Sequence, residues 1–309
     1  MDGMQASAVS GTATGDVSPA AARRILAIFN PAAGRNRCER FVEVVAALRA
    51  RGSTVTVMVT EAAGHAESIA RGLGDEYDVI AAAGGDGTVN EIVNGLPGKK
   101  IALGLIPLGT ANVLADEIGW PRGVEQIARA LAWGPVRDIN LGLVNGRRFV
   151  MMAGAGFDAN VVDAVSLKLK KAVGPLAYVW QAAVECFKQK PLACEVVIDG
   201  APYKTASVVA CNGRRYGGPF IAAPDAALVD RCFHVILMTG SSWFDTTRYG
   251  AAFLLGRISR LSDVKVIPAR EIVVNGIAGR PVQADGDIVA RLPATISVDP
   301  EPLRLIFPE

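Results

Sequence analysis

The chain has 309 residues; half are hydrophobic, a fifth are charged, and 32 Lys and Arg nearly balance 30 Asp and Glu for a net charge of +2. That length holds roughly two domains with a sizeable core, and the balance excludes a nucleic-acid binder that works by bulk positive charge. With only His65 and His234, a histidine-rich metal site or a Ser-His-Asp triad is poorly supported.

Residues 1–22 carry no Lys or Arg and are rich in Ala, Ser, Gly and Thr. They lack the basic start and apolar run of a secretory signal and read as a disordered tail. Next comes ILAIFN (25–30), a continuous apolar run that predicts a buried strand. In CERFVEVVAALRARG (38–52), Phe41, Val44, Val45 and Leu48 share one helical face, and Gly52 ends the helix. TVTVMV (54–59) predicts a strand and HAESIARGL (65–73) a helix, with His65 as a helix-start residue. DVIAAAGG (78–85) predicts a strand ending in glycines. TVNEIVNGL (88–96) predicts a helix with Thr88 as its cap, and IALGLIPL (101–108) another strand. Strands alternating with short helices imply a parallel sheet with helices on both faces.

The pattern changes after WGPVRD (133–138). NLGLVNGRRFVMM (140–152) sets Asn-Gly between two apolar runs, a strong hairpin signal, and EVVIDGAPYKTASVVAC (195–211) repeats it with Asp-Gly. DVKVIPAREIVVNG (263–276) and the segments up to Phe307 read as further strands, with a long helical stretch near 161–190 between the hairpins. Consecutive hairpins imply an antiparallel sheet or sandwich. The expected organisation is a tail (1–22), a nucleotide-binding α/β domain (23–136), a β-sandwich domain for lipid and metal (137–300), and a C-terminal segment (301–309) free to return to the first domain.

No apolar run is long and clean enough to span a bilayer; the longest uncharged stretch, Ile101 to Ala115, is broken by glycines and Pro107. The five cysteines, Cys38, Cys186, Cys194, Cys211 and Cys232, form no CxxC pair and read as reduced intracellular thiols, Cys186 and Cys211 in apolar runs. The expectation is a cytoplasmic protein with peripheral contact at the inner face of the membrane.

Ligands of an open parallel sheet sit beyond the carboxyl ends of its strands, and three loops there carry special residues. NPAAGRN (30–36) offers Asn30, Gly34 and the cations Arg35 and Arg37; alone it reads as an ordinary turn. GGDGT (84–88) has glycines that let backbone N–H groups approach an anion, ahead of a helix start. Its spacing matches neither GxGxxG nor a Walker loop. Asp86 is informative: a carboxylate among phosphate-binding amides repels the ligand unless a cation lies between them, which suggests Mg²⁺ arriving with ATP. PLGTAN (107–112) repeats Gly-Thr at a strand end.

NPAAG, GGDGTVNEIVNG and PLGTAN, in this order, resemble the catalytic domain of the diacylglycerol kinase and sphingosine kinase superfamily, in its bacterial soluble lipid kinase branch. The resemblance continues through NGRRFVMMAGAGFDANVV (145–162), APDAALVD (223–230) and VQADGD (282–287). NAD kinases share GGDGT; Asn90-Glu91, the PxGTxN loop and the GFDA segment favour lipid kinases. The resemblance implies an NAD-kinase-like, Rossmann-type α/β domain joined to an antiparallel β-sandwich, with the active site in the cleft between them. It implies ATP-binding positions at Asn30, Thr60, Gly84, Gly85, Asp86, Gly87, Thr88, Val89, Asn90 and Thr110. It places a Mg²⁺-binding aspartate at Asp230, working with carbonyls at Ala227 and Cys232, and a water-linked Asp138. Asp86 and Asp287 are the implied catalytic residues, Asp287 as general base where the family usually has the glutamate of DGE.

Two segments depart from the family's pattern. VDRCFHV (229–235) lacks the glycine and keeps only one, Asp230, of the three aspartates of DDGLLDV. Asp287 is one methylene shorter than glutamate, so it needs a closer backbone, a water, or help from Asp285. The expected activity is transfer of the ATP γ-phosphoryl group to a hydroxyl of diacylglycerol, a sphingoid base, ceramide or a related lipid alcohol presented by a membrane. An NAD-kinase-like enzyme with a soluble substrate and a catalytically weakened nucleotide- or lipid-binding protein are the alternatives. No nucleic-acid partner is expected, and a homodimer is compatible with the sequence.

In VSLKLKKAVGPLAYVWQAAVECFKQK (165–190), Lys168, Lys170 and Lys171 could face anionic headgroups, with Leu176, Trp180 and Phe187 lining an acyl channel. A core-packed helix with a solvated basic end is the favoured reading. Arg147, Arg148, Arg214 and Arg215, beside turns and glycines, read as solvated, and Trp120 as packing.

Overall fold

A computed structural model of the chain describes residues 22–33, 35–156, 159, 194–218 and 220–308. The expected helical stretch at 161–190, Cys186 and Gly34 lie outside the described residues.

The first sheet contains β1 (Arg24–Phe29), β2 (Thr54–Val59), β3 (Val79–Gly84), β4 (Ala102–Pro107), β5 (Val136–Ile139) and, from the end of the chain, β20 (Leu303–Ile306). Their order is β2-β1-β3-β4-β20-β5. All pairs are parallel except β20 with β5. β3 is buried along its whole length, as a strand covered on both faces must be. Helices α1 (Arg35–Ala50) and α5 (Val124–Trp133) pack together, as do α2 (His65–Gly72) and α3 (Asp86–Gly95). The chain leaves β1 for β2 in one direction and β3 for β4 in the other, so the reversal of strand order falls between β1 and β3. That is where an open α/β sheet forms its ligand crevice.

The second domain is a sandwich of two six-stranded sheets. One holds β6 (Gly142–Val144), β7 (Arg147–Phe149), β9 (Cys194–Ile198), β10 (Ala201–Thr205), β16 (Glu271–Asn275) and β19 (Ala294–Val298). The other holds β8 (Met152–Ala155), β11 (Ser207–Cys211), β14 (Phe233–Met238), β15 (Val264–Ala269), β17 (Pro281–Ala284) and β18 (Asp287–Arg291). All their pairings are antiparallel. Alternate residues from both sheets face inward as one apolar core, where Phe149 and Phe233 stack with ring centroids 5.6 Å apart. The Asn145–Gly146, Asp199–Gly200 and Asp285–Gly286 turns all have positive φ. This is the mirror-image turn whose twist matches paired strands, and it is why Asn-Gly and Asp-Gly signal hairpins.

The arginines beside these turns depart from the solvated reading. Arg148 is buried, its Nε 2.6 Å from Asp299 Oδ2 and its Nη2 2.7 Å from Glu301 Oε2. Arg147 reaches Glu67 on α2 at 3.2 Å. Arg214 bonds the buried Glu117 carboxylate, with Arg215 Nε 3.9 Å from it. The Arg147–Glu67 and Arg214–Glu117 pairs join the two domains, which a turn signal alone cannot reveal. Arg148→Met is expected to lower stability by about 3 kcal/mol or more, because Asp299 then lies buried without its partner. Urea melts of variant and wild type check this.

Candidate active site

The three glycine-bearing loops meet at the carboxyl ends of β1, β3 and β4. The Asn30 N–H donates to Ala83 O at 2.9 Å. Asn30 Nδ2 donates to Thr88 Oγ1 at 3.1 Å, and Asn30 Oδ1 accepts from the Ala32 N–H at 3.0 Å. Thr88 is therefore held by the first loop; the cap position of α3 belongs to Gly85, and the helix begins at Asp86. The second and third loops touch backbone to backbone. A Cβ on Gly109 would lie 2.5 Å from Gly85 Cα and 2.6 Å from Asn112 Oδ1, so only glycine permits this approach. Asn112 turns its amide back on that loop: its Oδ1 accepts from the Gly109 N–H at 2.8 Å, and its Nδ2 donates to Gly109 O at 2.9 Å. Gly87 is exposed, and a Cβ there would meet nothing within 4 Å. The start of α3 thus opens onto space beside N–H groups and the positive helix end.

Asp86 Oδ1 accepts from the Val113 N–H at 2.6 Å, tying α3 to α4 (Val113–Glu117). Burial raises the Asp86 pKa, the Asp285 carboxylate raises it further, and N–H groups of Val113 and Asn112 oppose the shift. Asp285 reaches this place from the second domain. Its carboxylate accepts from the N–H groups of Val150 (2.7 Å), Met151 (2.9 Å) and Met152 (3.2 Å), and from Asn90 Nδ2 on α3 at 3.0 Å. Burial pushes its pKa up against the pull of these donors. Asn94, one turn beyond Asn90, donates to Arg148 O at 3.0 Å and accepts from the Arg148 N–H at 2.9 Å. Two carboxylates, one from each domain, thus stand at the start of α3: Asp86 within the helix end and Asp285 on the Asn90 amide.

Residues 24–144 match the family described as diacylglycerol kinase catalytic domain, and residues 151–307 match the YegS C-terminal NAD kinase beta sandwich-like domain. A diacylglycerol kinase of Bacillus subtilis (strain 168) is 30% identical over 278 residues, covering 88% of this chain and 92% of the relative. The chain belongs to the diacylglycerol kinase family. A crystal structure of a diacylglycerol kinase from Bacillus anthracis str. Sterne shares the fold at TM-score 0.75 and 22% identity, covering 93% of this chain and 98% of the other. Yeast NADH kinase complexed with NADH follows at TM-score 0.52 and 10% identity, covering 93% and 84% of the two chains. The N-terminal α/β sheet and C-terminal sandwich are therefore the family's fold.

The other expected positions of this lipid kinase are distributed as follows. Thr60 is buried and donates its N–H to Phe29 O at 2.9 Å, while Thr110 is exposed in the third loop. Val89 and Asn90 are buried on α3. Asp230 donates its N–H to Ala227 O at 2.9 Å. The Cys232 thiol has a raised pKa, first from burial and then from the Asp230 carboxylate. Asp138 is exposed on β5, opposite Arg304. An Asn140 N–H to Leu228 O bond of 2.7 Å ties the Asp138 and Asp230 segments together. Among the described residues, no group of three or more His, Cys, Asp or Glu is placed to hold a metal ion. Asp287 is exposed at the start of β18, opposite Ala284 across the Asp285–Gly286 turn. His65 stands at a helix start, its Nδ1 accepting from the Glu61 N–H at 3.1 Å. Among the described residues no helix is long and apolar enough to cross a membrane.

The sequence reading passes over Asn94, Glu117 and the contact of Asp285 with α3. The NEIVN spacing places Asn90 and Asn94 on one helical face and was a usable signal. Glu117 had none, because its partners lie almost a hundred residues away.

Proposed function

We propose that this lipid kinase transfers the γ-phosphoryl group of ATP, bound with Mg²⁺, to the hydroxyl of diacylglycerol or a related lipid alcohol presented by a membrane. One observation carries the reading: the Asp86 carboxylate lies inside the glycine loop at the start of α3, with Oδ1 held by the Val113 N–H at 2.6 Å. A carboxylate beside glycine-loop amides suits a site completed by a cation, and Mg²⁺ is commonly held by one or two carboxylates and substrate phosphates. Bound Mg²⁺ would offset the charge on the phosphate oxygens during transfer. Asp86 would hold it here, since both Asp285 oxygens already accept two N–H groups each; Asp230, the Ala227 and Cys232 carbonyls and Asp138 would form the second metal set that the family resemblance implies.

Glycine-loop amides and the α3 start would position the phosphates, and Asn30 would keep Thr88 directed at them. Asp287, exposed and therefore reachable by an acceptor, would take the hydroxyl proton. Asp287→Ala is expected to lower turnover about a hundred-fold with little change in KM for ATP. Steady-state kinetics check this, and near wild-type turnover would remove Asp287 from the base role. The reading as a whole is tested with radiolabelled ATP and a panel of lipid alcohols in mixed micelles, with and without a chelator, and identification of the labelled product. Labelling of NAD but of no lipid would reverse it.

A further inference from the structure

Helix α6 (Trp243–Leu254) lies on the outer face of the sheet that contains β11 and β14. Tyr249 and Ala252 of α6 are buried against that sheet. Its end turns the other way: Leu254 is 56% exposed and Leu255 is 69% exposed. Beside them stands Ile221, 40% exposed, on the short hairpin of β12 (Arg215–Tyr216) and β13 (Phe220–Ile221). A Cβ on Gly256 would lie 3.9 Å from Ile221 O, so the two apolar groups form one wedge. Arg257 and Arg260, both exposed, follow the leucines directly.

Two acidic groups on and beside α6, Asp245 and Asp263, are already engaged, and Asp225 is exposed four residues beyond Ile221. Asp245 closes a capping box with Ser242, its carboxylate accepting the Ser242 N–H at 3.1 Å. Arg248 lies 3.2 Å from Asp245 and also pairs with Asp263. Tyr249 donates to Asp263, and burial with that bond pushes its pKa up to about 12. The wedge therefore presents two leucines, an isoleucine and two cations.

We propose that this wedge seats on an anionic lipid surface and holds the active-site cleft against it. The inference rests on the reading that the acceptor is a membrane lipid. A continuous path joins wedge and cleft: Phe253 of α6 stacks on Tyr216 with centroids 4.9 Å apart. The adjacent Arg215 lies 3.9 Å from the Glu117 carboxylate. Glu117 ends α4, whose first residue, Val113, bonds Asp86 at 2.6 Å. Apolar side chains flanked by arginines match the acyl boundary and headgroups of an anionic leaflet. A second copy fits worse, because a two-fold contact would bring the arginine-rimmed patch against itself.

The test is co-sedimentation with phosphatidylcholine vesicles, with and without phosphatidylglycerol, in parallel with activity on detergent-dispersed acceptor. Wild type is expected to sediment with the anionic vesicles and to be released by salt. Leu254→Asp/Leu255→Asp is expected to lower partitioning about a hundred-fold. Arg257→Glu/Arg260→Glu is expected to lower it about thirty-fold on anionic vesicles only. Both variants should keep their detergent activity. Wild type that sediments with neither vesicle, or variants that bind as wild type does, would overturn the proposal. So would a dimer in sedimentation velocity that the leucine changes abolish. Failure to phosphorylate any detergent-dispersed lipid would instead sink the lipid-acceptor reading, and the vesicle arm would still report on the wedge.

Discussion

Asp86→Ala is expected to lower phosphoryl transfer about a thousand-fold or more while the protein stays folded. Catalysis of this kind rests on positioning and charge stabilisation, and Asp86 sits where both are needed. Its Oδ1 also holds the Val113 N–H at 2.6 Å, so alanine removes a structural bond along with the charge. Asp86→Asn separates the two, since an amide oxygen still accepts that N–H. If charge is what matters, Asn should be nearly as inactive as Ala; if the bond to α4 is what matters, Asn should recover most of the rate.

The pH dependence of stability gives an independent reading. Burial raises the Asp86 pKa in the folded state, so the folded chain binds more protons than the unfolded chain above the ordinary carboxylate range. Stability therefore falls as pH rises through that window and is fully recovered below it. Asp86→Asn removes the loss. It should melt higher than wild type at neutral pH, and the difference should close as pH approaches the ordinary carboxylate value. Calorimetry across that range checks the sign. Activity should move oppositely, being lost as pH falls and Asp86 takes up its proton.

Asp285→Ala is expected to cost about 4 kcal/mol of stability and most of the activity. The change leaves the N–H groups of Val150, Met151 and Met152 and the Asn90 amide without their acceptor. Each buried donor left unpaired costs about 1–3 kcal/mol, offset partly by relaxation and water entry. Asp285→Asn is not a mild alternative. Oδ2 accepts from two donors, Val150 N and Asn90 Nδ2, and Oδ1 accepts from two more, so an NH₂ group at either place faces donors. Chemical denaturation, followed separately by far-UV circular dichroism and by ATP use, checks both effects. Loss of activity well before loss of secondary structure would locate the damage at the domain contact.

Local order was legible along the chain. Continuous apolar runs gave the central strands β1, β3 and β4, because a strand covered on both faces has no polar side to show. Asn145–Gly146 and Asp199–Gly200 announced hairpins because their backbone needs positive φ, which those residues adopt most easily. Gly84, Gly85, Asp86 and Gly109 pointed to an anion site because glycine and an isolated carboxylate there have few other uses. Residues whose partners are remote in sequence were not legible. β5 reads as polar because it is an edge strand, with burial only at Ile139, and it joins the first sheet through a strand that begins at Leu303. Arg148 read as solvated until Asp299 and Glu301 arrived from the far end of the chain. The bond from Asn90 to Asp285, across almost two hundred residues, belongs to the same class. Short-range patterning and turn chemistry were determined by the sequence itself, since they depend on a residue and its neighbours. Which charges became buried, paired and coupled was decided only when the sandwich closed on the α/β domain, because burial and Coulomb interaction depend on distance in space.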